Sequence, residues 1–573
     1  MSSDDFRSRG LKACTTCASA KVRCDMAAGQ KKCKRCKRLN KECNVQPRGS
    51  HSRTRASKGG YGREDLLSLE SKVNSVAQRL SSSSQLPTTE GHAKDSLPSA
   101  ASSDSPLTFI FTQPLSQEAG LIACQLLELY TRQMMPLFPF VWIHSEETPE
   151  HLFQERPVLY MAIMVVACQS NLDAQLELAQ RWRQEIGRRI WVEGEKSLQL
   201  LQGMLVYLAW HHTHVSLGSE LSNLMYSAMS LVTELRLGKK QLPNTRIGPG
   251  ALNEITRESV SQARMTPDEQ RCYLGVFWIN SVLRMCVRDM VAMPLRPSIN
   301  ESCAVLEEVM QFPSDRYLVQ LVRVQQVAET IGKNLFEDAN EANLQVSSTM
   351  LVTVSHLEKE VMKLGNTLSQ GLSQQAFLTM AYSMLQIFLY KVGMHDRLHQ
   401  ASDLTTPSPH VLQSSHLLVS CLTAVKSLID SFLSLTNSAI LSMPYPYWIQ
   451  VGHSVCIFSR LLATNNSSWN LGILTGISNF TETLERIVCK IEGAISEGMS
   501  SAPPRSLPAV FNDLRRRCVE ICRKVEKSSR LDIPSSEVVA GSSASGMFDA
   551  ANMVMDEQTE DLLFNFLTDG GLI

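Results

Sequence analysis

Between residues 107 and 530 apolar side chains recur at spacings of three and four, with polar residues between them. That is the periodicity of helices that bury one face. Residues 117–135 carry Leu121, Ile122, Leu126, Leu129 and Tyr130 close to one helical face, and Pro136 and Pro139 end the run. The theme returns over 161–168, 198–210, 217–235, 272–287, 305–336, 350–372, 376–394, 411–435, 480–495 and 507–525. Continuous strand-type alternation is rare. About 420 residues can bury a large core, so the expectation is an all-α body. Polar 238–270 reads as a surface loop, and Met293-Pro294 with Arg296-Pro297 as a helix stop.

Outside the body the pattern changes. Leu66, Leu69, Val73, Val76 and Leu80 stand 3, 4, 3 and 4 apart, the a/d positions of a heptad repeat. Residues 64–80 therefore predict a short coiled-coil dimerisation element, with an amphipathic helix packed on the body as the alternative. Such a helix is marginal alone in water. Residues 47–63 form a basic linker with Pro47, Gly49 and several further glycines, flexible enough to follow a DNA backbone. Residues 81–106 are rich in Ser and Pro and too poor in apolar side chains for a core, which predicts disorder. In the tail, 531–573, acids alternate with Leu562, Leu563, Phe564, Phe566 and Leu567. This composition predicts an activation segment that docks its apolar residues in a coactivator groove. A C-terminal helix docked on the body is the alternative.

The chain has 573 residues, with 56 Lys+Arg against 56 Asp+Glu. The zero total conceals a dipole. Residues 1–60 hold 16 basic and 4 acidic side chains, a net of +12, and residues 532–573 hold 8 acids and no Lys or Arg, a net of −8. The middle carries the remaining −4. A basic head predicts nucleic acid as a partner, and an acidic tail predicts protein. Apolar runs such as 159–168 fall short of the roughly 18 residues of a membrane span, and Met1 to Asp5 do not read as a secretory signal. Neither a membrane partner nor export is expected.

Six of the 16 cysteines crowd between positions 14 and 43. They are Cys14, Cys17, Cys24, Cys33, Cys36 and Cys43, so that C-x2-C-x6-C occurs twice. A C-x2-C pair brings two thiolates to one ion from a tight turn. Two tetrahedral zinc ions need eight ligands, and six thiolates supply them if two are shared. The rival is a one-zinc ribbon on Cys14, Cys17, Cys33 and Cys36, which leaves Cys24 and Cys43 idle at equivalent places. The other ten cysteines are scattered, Cys518 and Cys522 among them, and read as reduced thiols.

This cysteine pattern resembles the zinc-binuclear-cluster (Zn2Cys6) domain of fungal transcription factors. The motif occupies about 30 residues, and residues 1–46 would be that domain. The resemblance implies two zinc ions, a nuclear location, and a short helix placed on double-stranded DNA over a CGG triplet. It puts Lys21 at the base-reading position and Arg23 at a phosphate-facing one. The chain departs from the family at Ala18 and Ala20, where a basic residue is usual. More of the grip then falls to Lys34, Arg35, Lys37, Arg38 and Lys41. Such contacts orient the domain without specifying sequence. A homodimer is implied, with the linker setting half-site spacing.

The body resembles the family's middle homology domain in three segments. These are Leu126 to Tyr130 with Phe138-Pro139-Phe140, then Leu200 to Trp210, then Arg271 to Trp278 followed by Pro294-Leu295-Arg296-Pro297. This implies regulation, often by a small-molecule effector, and often of metabolic or secondary-metabolite genes. Common nucleotide-binding, zincin and serine-hydrolase motifs are absent from the sequence. Trp210-His211-His212-Thr213-His214 reads as polar residues at a helix end rather than as a metal site. The chain is not expected to be an enzyme; the alternatives are a repressor of the same family, a zinc-dependent enzyme or a ubiquitin-ligase-like scaffold.

Overall fold

The computed structural model describes Cys14, Cys17, Cys24, residues 32–43, 110–111, 117–213, 220–239, 265–286, 290–337, 348–394, 409–463, 475–507, Phe511 and Arg516. The chain divides into two units, Met1–Ala101 and Ser102–Ile573. Among the described residues every regular element is helical and there is no strand. The first unit contributes α1 (Lys34–Arg38). The second contributes α2 (Gln117–Leu129), α3 (Pro149–Glu155), α4 (Pro157–Ala167), α5 (Leu172–Gly187), α6 (Leu198–Ala209), α7 (Leu221–Glu234) and α8 (Pro267–Cys286). It continues with α9 (Pro297–Val309), α10 (Asp315–Gly332), α11 (Ser348–Thr367), α12 (Gln375–Tyr390), α13 (Pro409–Leu433), α14 (Asn437–Leu441), α15 (Tyr445–Ala463) and α16 (Thr475–Met499).

Three helices are buried nearly all round and form the centre: α4 and α6, which are apolar, and α8, which also encloses Arg271, Asn280 and Ser281. A helix with no polar face is stable only when enclosed. α6 packs on α4 closely enough that a Cβ on Gly203 would stand 3.0 Å from the Val158 carbonyl oxygen. α8 touches α6, α7, α9, α10 and α15. The segment after α2 plugs this centre. Phe138 lies 6.0 Å from Trp210 and 5.9 Å from Trp278, and Phe140 stacks on Trp278 at 5.5 Å. The three segments that resemble the middle homology domain thus meet in one aromatic core.

Some boundaries differ from the sequence expectation. The predicted helix over 305–336 is two helices, because Met310 turns left-handed (φ 40°) and ends α9. Pro313 holds the break open: a proline lacks an N–H and disfavours helix in the residue before it. α5 was not expected, although Gln175, Leu178, Ala179, Trp182 and Ile186 line one face and Asn171 caps its start. α3, α14 and α15 were also not expected. In α2 the buried face is Ala119, Ala123, Leu126 and Leu127, while Leu121 points outward at 62% exposure. Ser415–Leu433 is, by length and composition, apolar enough to cross a membrane. Its Leu417, Leu418, Cys421, Val425 and Leu428 are instead buried in the helical core.

Candidate metal centre and nucleic-acid interface

The first unit has little apolar side chain to bury. Its buried cluster consists of Cys14, Cys17, Cys33 and Cys36, with Cys24 and Cys43 packed against it. The sulfurs fall into two groups whose ligand atoms all lie within 4.8 Å of one another. One group is Cys14, Cys17, Cys24 and Cys33; the other is Cys14, Cys33, Cys36 and Cys43. Cys14 and Cys33 belong to both. Six thiolates around two ions would need two such common ligands, and these two sulfurs stand where both groups meet.

The two groups repeat each other. Cys14 and Cys33 are 19 residues apart, and a step of that length also carries Cys17 to Cys36 and Cys24 to Cys43. The Cys14 N–H donates to Cys24 Sγ at 3.4 Å, and the Cys33 N–H donates to Cys43 Sγ at 3.2 Å. Cys14 Sγ stands 3.9 Å from Cys33 Sγ and 3.7 Å from Cys36 Sγ, and Cys17 Sγ stands 3.7 Å from Cys33 Sγ. Neutral thiols gain little from such crowding. A dication at each group removes the conflict, since coordinated thiols lose their protons outright.

Titration follows the same symmetry. The backbone of Cys17 lowers the Cys14 thiol pKa, and the N–H of Cys36, donating to Cys33 Sγ at 3.4 Å, lowers Cys33 to about 6. Burial pushes Cys17 and Cys36 upward.

α1 begins at this centre. Cys33 is its N-cap and Cys36 faces the sulfurs. Asn40, with φ 48°, turns the chain back. Lys34, Lys37 and Arg38 are exposed on the side away from the thiols, followed by exposed Lys41, while Arg35 is half-buried. The i, i+3, i+4 spacing sets these charges side by side. The equivalent places one repeat earlier hold Thr15, Ala18 and Ser19. The two halves repeat the same cysteines, but the basic residues of α1 have uncharged counterparts in the earlier repeat. Lys21 and Arg23 lie outside the described residues, as do Leu66, Leu69, Val73, Val76 and Leu80, and Leu562, Leu563, Phe564, Phe566 and Leu567.

The histidine run in the body forms no ligand group among the described residues. It does lie at a helix end, but inside the core rather than at the surface. His211 and His212 are 2% and 3% exposed. His212 packs on Tyr445, Trp448 and Phe511. Burial lowers the pKa of His211 to about 4 and that of His212 to about 3.

The chain is 26% identical over 517 residues to transcription factor himD of Aspergillus japonicus, covering 88% of this chain and 82% of that protein. It is 26% identical over 511 residues to transcription factor opdL of Penicillium oxalicum, covering 86% of each. It is 22% identical over 497 residues to transcription factor pbcR of Emericella nidulans, covering 79% of this chain and 63% of that protein. These likenesses extend over most of the chain, and they support a transcription-factor role. All three relatives are named as transcription factors and none as an enzyme. No protein-family model and no solved structure matches it.

Proposed function

We propose that the chain is a nuclear, sequence-specific, DNA-binding transcription factor and that residues 1–46 form a two-zinc reader of CGG-type half-sites. The observation that carries this reading is the pair of four-sulfur groups sharing Cys14 and Cys33. Six thiolates and two Zn²⁺ leave a charge of −2, which the basic residues around them offset. Lys21 reads guanine acceptors in the major groove and Arg23 holds phosphate. Lys34, Arg35, Lys37 and Arg38 add phosphate grip through the exposed face of α1. Those contacts fix register and make affinity steeply salt-dependent.

The rest of the proposal follows the chain. Residues 64–80 pair two copies through Leu66, Leu69, Val73, Val76 and Leu80, and the basic linker sets half-site spacing. The helical body is regulatory. The acidic tail activates by presenting Leu562, Leu563, Phe564, Phe566 and Leu567 to a coactivator. The family resemblance points to metabolic or secondary-metabolite genes as targets.

The test is an anisotropy titration of the full chain on a duplex carrying CGG triplets and on a scrambled duplex, with bound zinc counted in parallel. Two zinc ions per chain and a preference for the CGG duplex are expected. Lys21→Ala should lose most of that preference, about 1–3 kcal/mol for a lost bidentate base contact, while binding to the scrambled duplex changes little. One zinc per chain, or equal affinity of the zinc-loaded wild type for both duplexes, sinks the reading.

A further inference from the structure

The break between α9 and α10 does more than divide a helix. It places Phe312 opposite the segment that follows α2. Together they enclose a cleft of about 730 Å³ in the second unit. That volume lies in the range of small-molecule sites. Its floor is Leu127 and Met135, and the Met135 sulfur accepts the Ile143 N–H at 3.2 Å. Its wall is Trp142, whose indole stacks on Phe312 at 4.0 Å and 20°.

The wall is braced from behind. The Arg271 guanidinium lies over the Phe312 ring at 4.6 Å. At those distances Arg271 and Trp142 must occupy opposite faces of the phenyl ring. Arg271 is itself clamped by both oxygens of Asp315, each at 2.9 Å, and Asp315 Oδ2 accepts the Phe312 N–H at 3.0 Å. The indole is thus held by an ion pair rooted in α8 and α10. It is a fixed surface rather than a loose side chain.

The rim is acidic. Glu128 pairs with Arg132 at 3.1 Å, and Glu147 pairs with Arg156 at 3.1 Å and meets the His151 Nδ1 at 2.5 Å. Glu150, in the first turn of α3, forms no ion pair with any described residue. Its charge is felt next door, where burial and then Glu150 raise the pKa of the Cys124 thiol. With two carboxylates matched by two guanidinium groups, one negative charge is left at the mouth. Aromatic faces also attract cations.

We infer that this cleft binds a small organic monocation, an amine carried on a flat apolar body, with the ammonium at Glu150 and the body against Trp142. An anion is disfavoured because both neighbouring guanidinium groups are already held by carboxylates. The inference concerns the helical body alone and does not rest on the DNA-binding reading.

Cys124 is an exposed thiol in the cleft, and Cys489 is an exposed thiol on α16. Alkylation of the full chain by iodoacetamide, followed by peptide mass spectrometry, therefore contains its own reference. Tryptamine is the probe, and indolepropionate, of like shape and opposite charge, is the control. Tryptamine should slow alkylation of Cys124 saturably, with a midpoint on the order of 1 mM for a molecule of this size, and leave Cys489 unchanged. Indolepropionate should protect neither thiol. Glu150→Gln, a change at an exposed position, should raise the tryptamine midpoint about fivefold with the melting temperature preserved. Equal protection by both probes, protection by neither, or an unmoved midpoint in Glu150→Gln overturns the assignment. None of these readouts involves DNA, so failure here leaves the DNA-binding proposal intact, and the reverse holds.

Discussion

The two units achieve order by different means. In the first unit the buried cluster is sulfur, four cysteines enclosed and two at the edge. In the second it is a continuous apolar core that runs from Ile110 to Phe511 and includes fully buried Trp182, Trp210 and Trp278. A segment of about 30 residues cannot remove enough apolar surface from water to offset its chain entropy. Under the proposed two-zinc reading coordination bonds supply what burial cannot; structural zinc contributes on the order of 10 kcal/mol to folding in such small domains. The body needs no such support. On the proposed zinc reading the head's fold is conditional on its ligand, while the body's fold is conditional on packing.

That contrast can be broken most forcefully at the metal. Chelation should abolish hydrogen-exchange protection across α1, and the apolar core gives the amides of α8 no reason to lose theirs. Within the head, Cys33→Ser should cost both ions, because its sulfur is common to the two groups, whereas Cys24→Ser should cost one. Native mass spectrometry reads the count directly. Equal loss in the two variants would remove the distinction between shared and unshared ligands.

The next effect belongs to the body. Arg271 and Asp315 are each 1% exposed at the side chain and bonded at 2.9 Å. Asp315→Ala leaves a buried guanidinium without its main partner, and the expected loss is about 3–5 kcal/mol. Pairing it with Arg271→Met should recover a large part, since an apolar replacement carries no stranded charge. A denaturant midpoint for the double variant below that of Asp315→Ala would mean that the ion pair is more than a local match.

The smallest effect is a pH dependence. Unfolded, each histidine takes a proton near pH 6.5; folded, His211 does so near about 4 and His212 near about 3, because burial opposes the charge. Between these values the unfolded chain binds more protons, so stability falls as pH drops below about 6.5. At pH 5 each histidine should contribute a loss of about 2 kcal/mol. His212→Phe, which keeps the ring contacts with Tyr445, Trp448 and Phe511, should remove one of the two contributions. A denaturation series from pH 7 to pH 5 checks this, and an unchanged slope in the variant would place the titration elsewhere.

How much of this was legible depends on how local the signal is. The cysteine repeat was readable because metal ligation fixes spacing within a few residues. The helices 198–210 and 376–394 were readable from apolar recurrence, and α6 and α12 occupy nearly those spans. The break at 310–314 was missed, although Pro313 marked it, and with it went Phe312 and the cleft it walls. α5 was missed despite its apolar spacing and its Asn171 cap. His211 and His212 look polar in one dimension. Only the arrival of Tyr445 and Trp448, more than two hundred residues on, makes them core.

By itself, the sequence determined the spacing of the head's six cysteines, the all-helical character of the body and the division of charge between the two ends. Each of these is written in composition or in spacings shorter than two helical turns, where covalent geometry does the selecting. Tertiary structure alone decided which thiols stand in both four-sulfur groups, because Cys14 and Cys33 are 19 residues apart and nothing local distinguishes them from their neighbours. It also decided that Arg505, with its pKa lowered to about 10 by burial, is met by the neutral Gln133, Gln169 and Ser442 rather than by an acid. Contacts across 336 and 372 residues leave no periodic trace, since they are set by how helices pack and not by how they form.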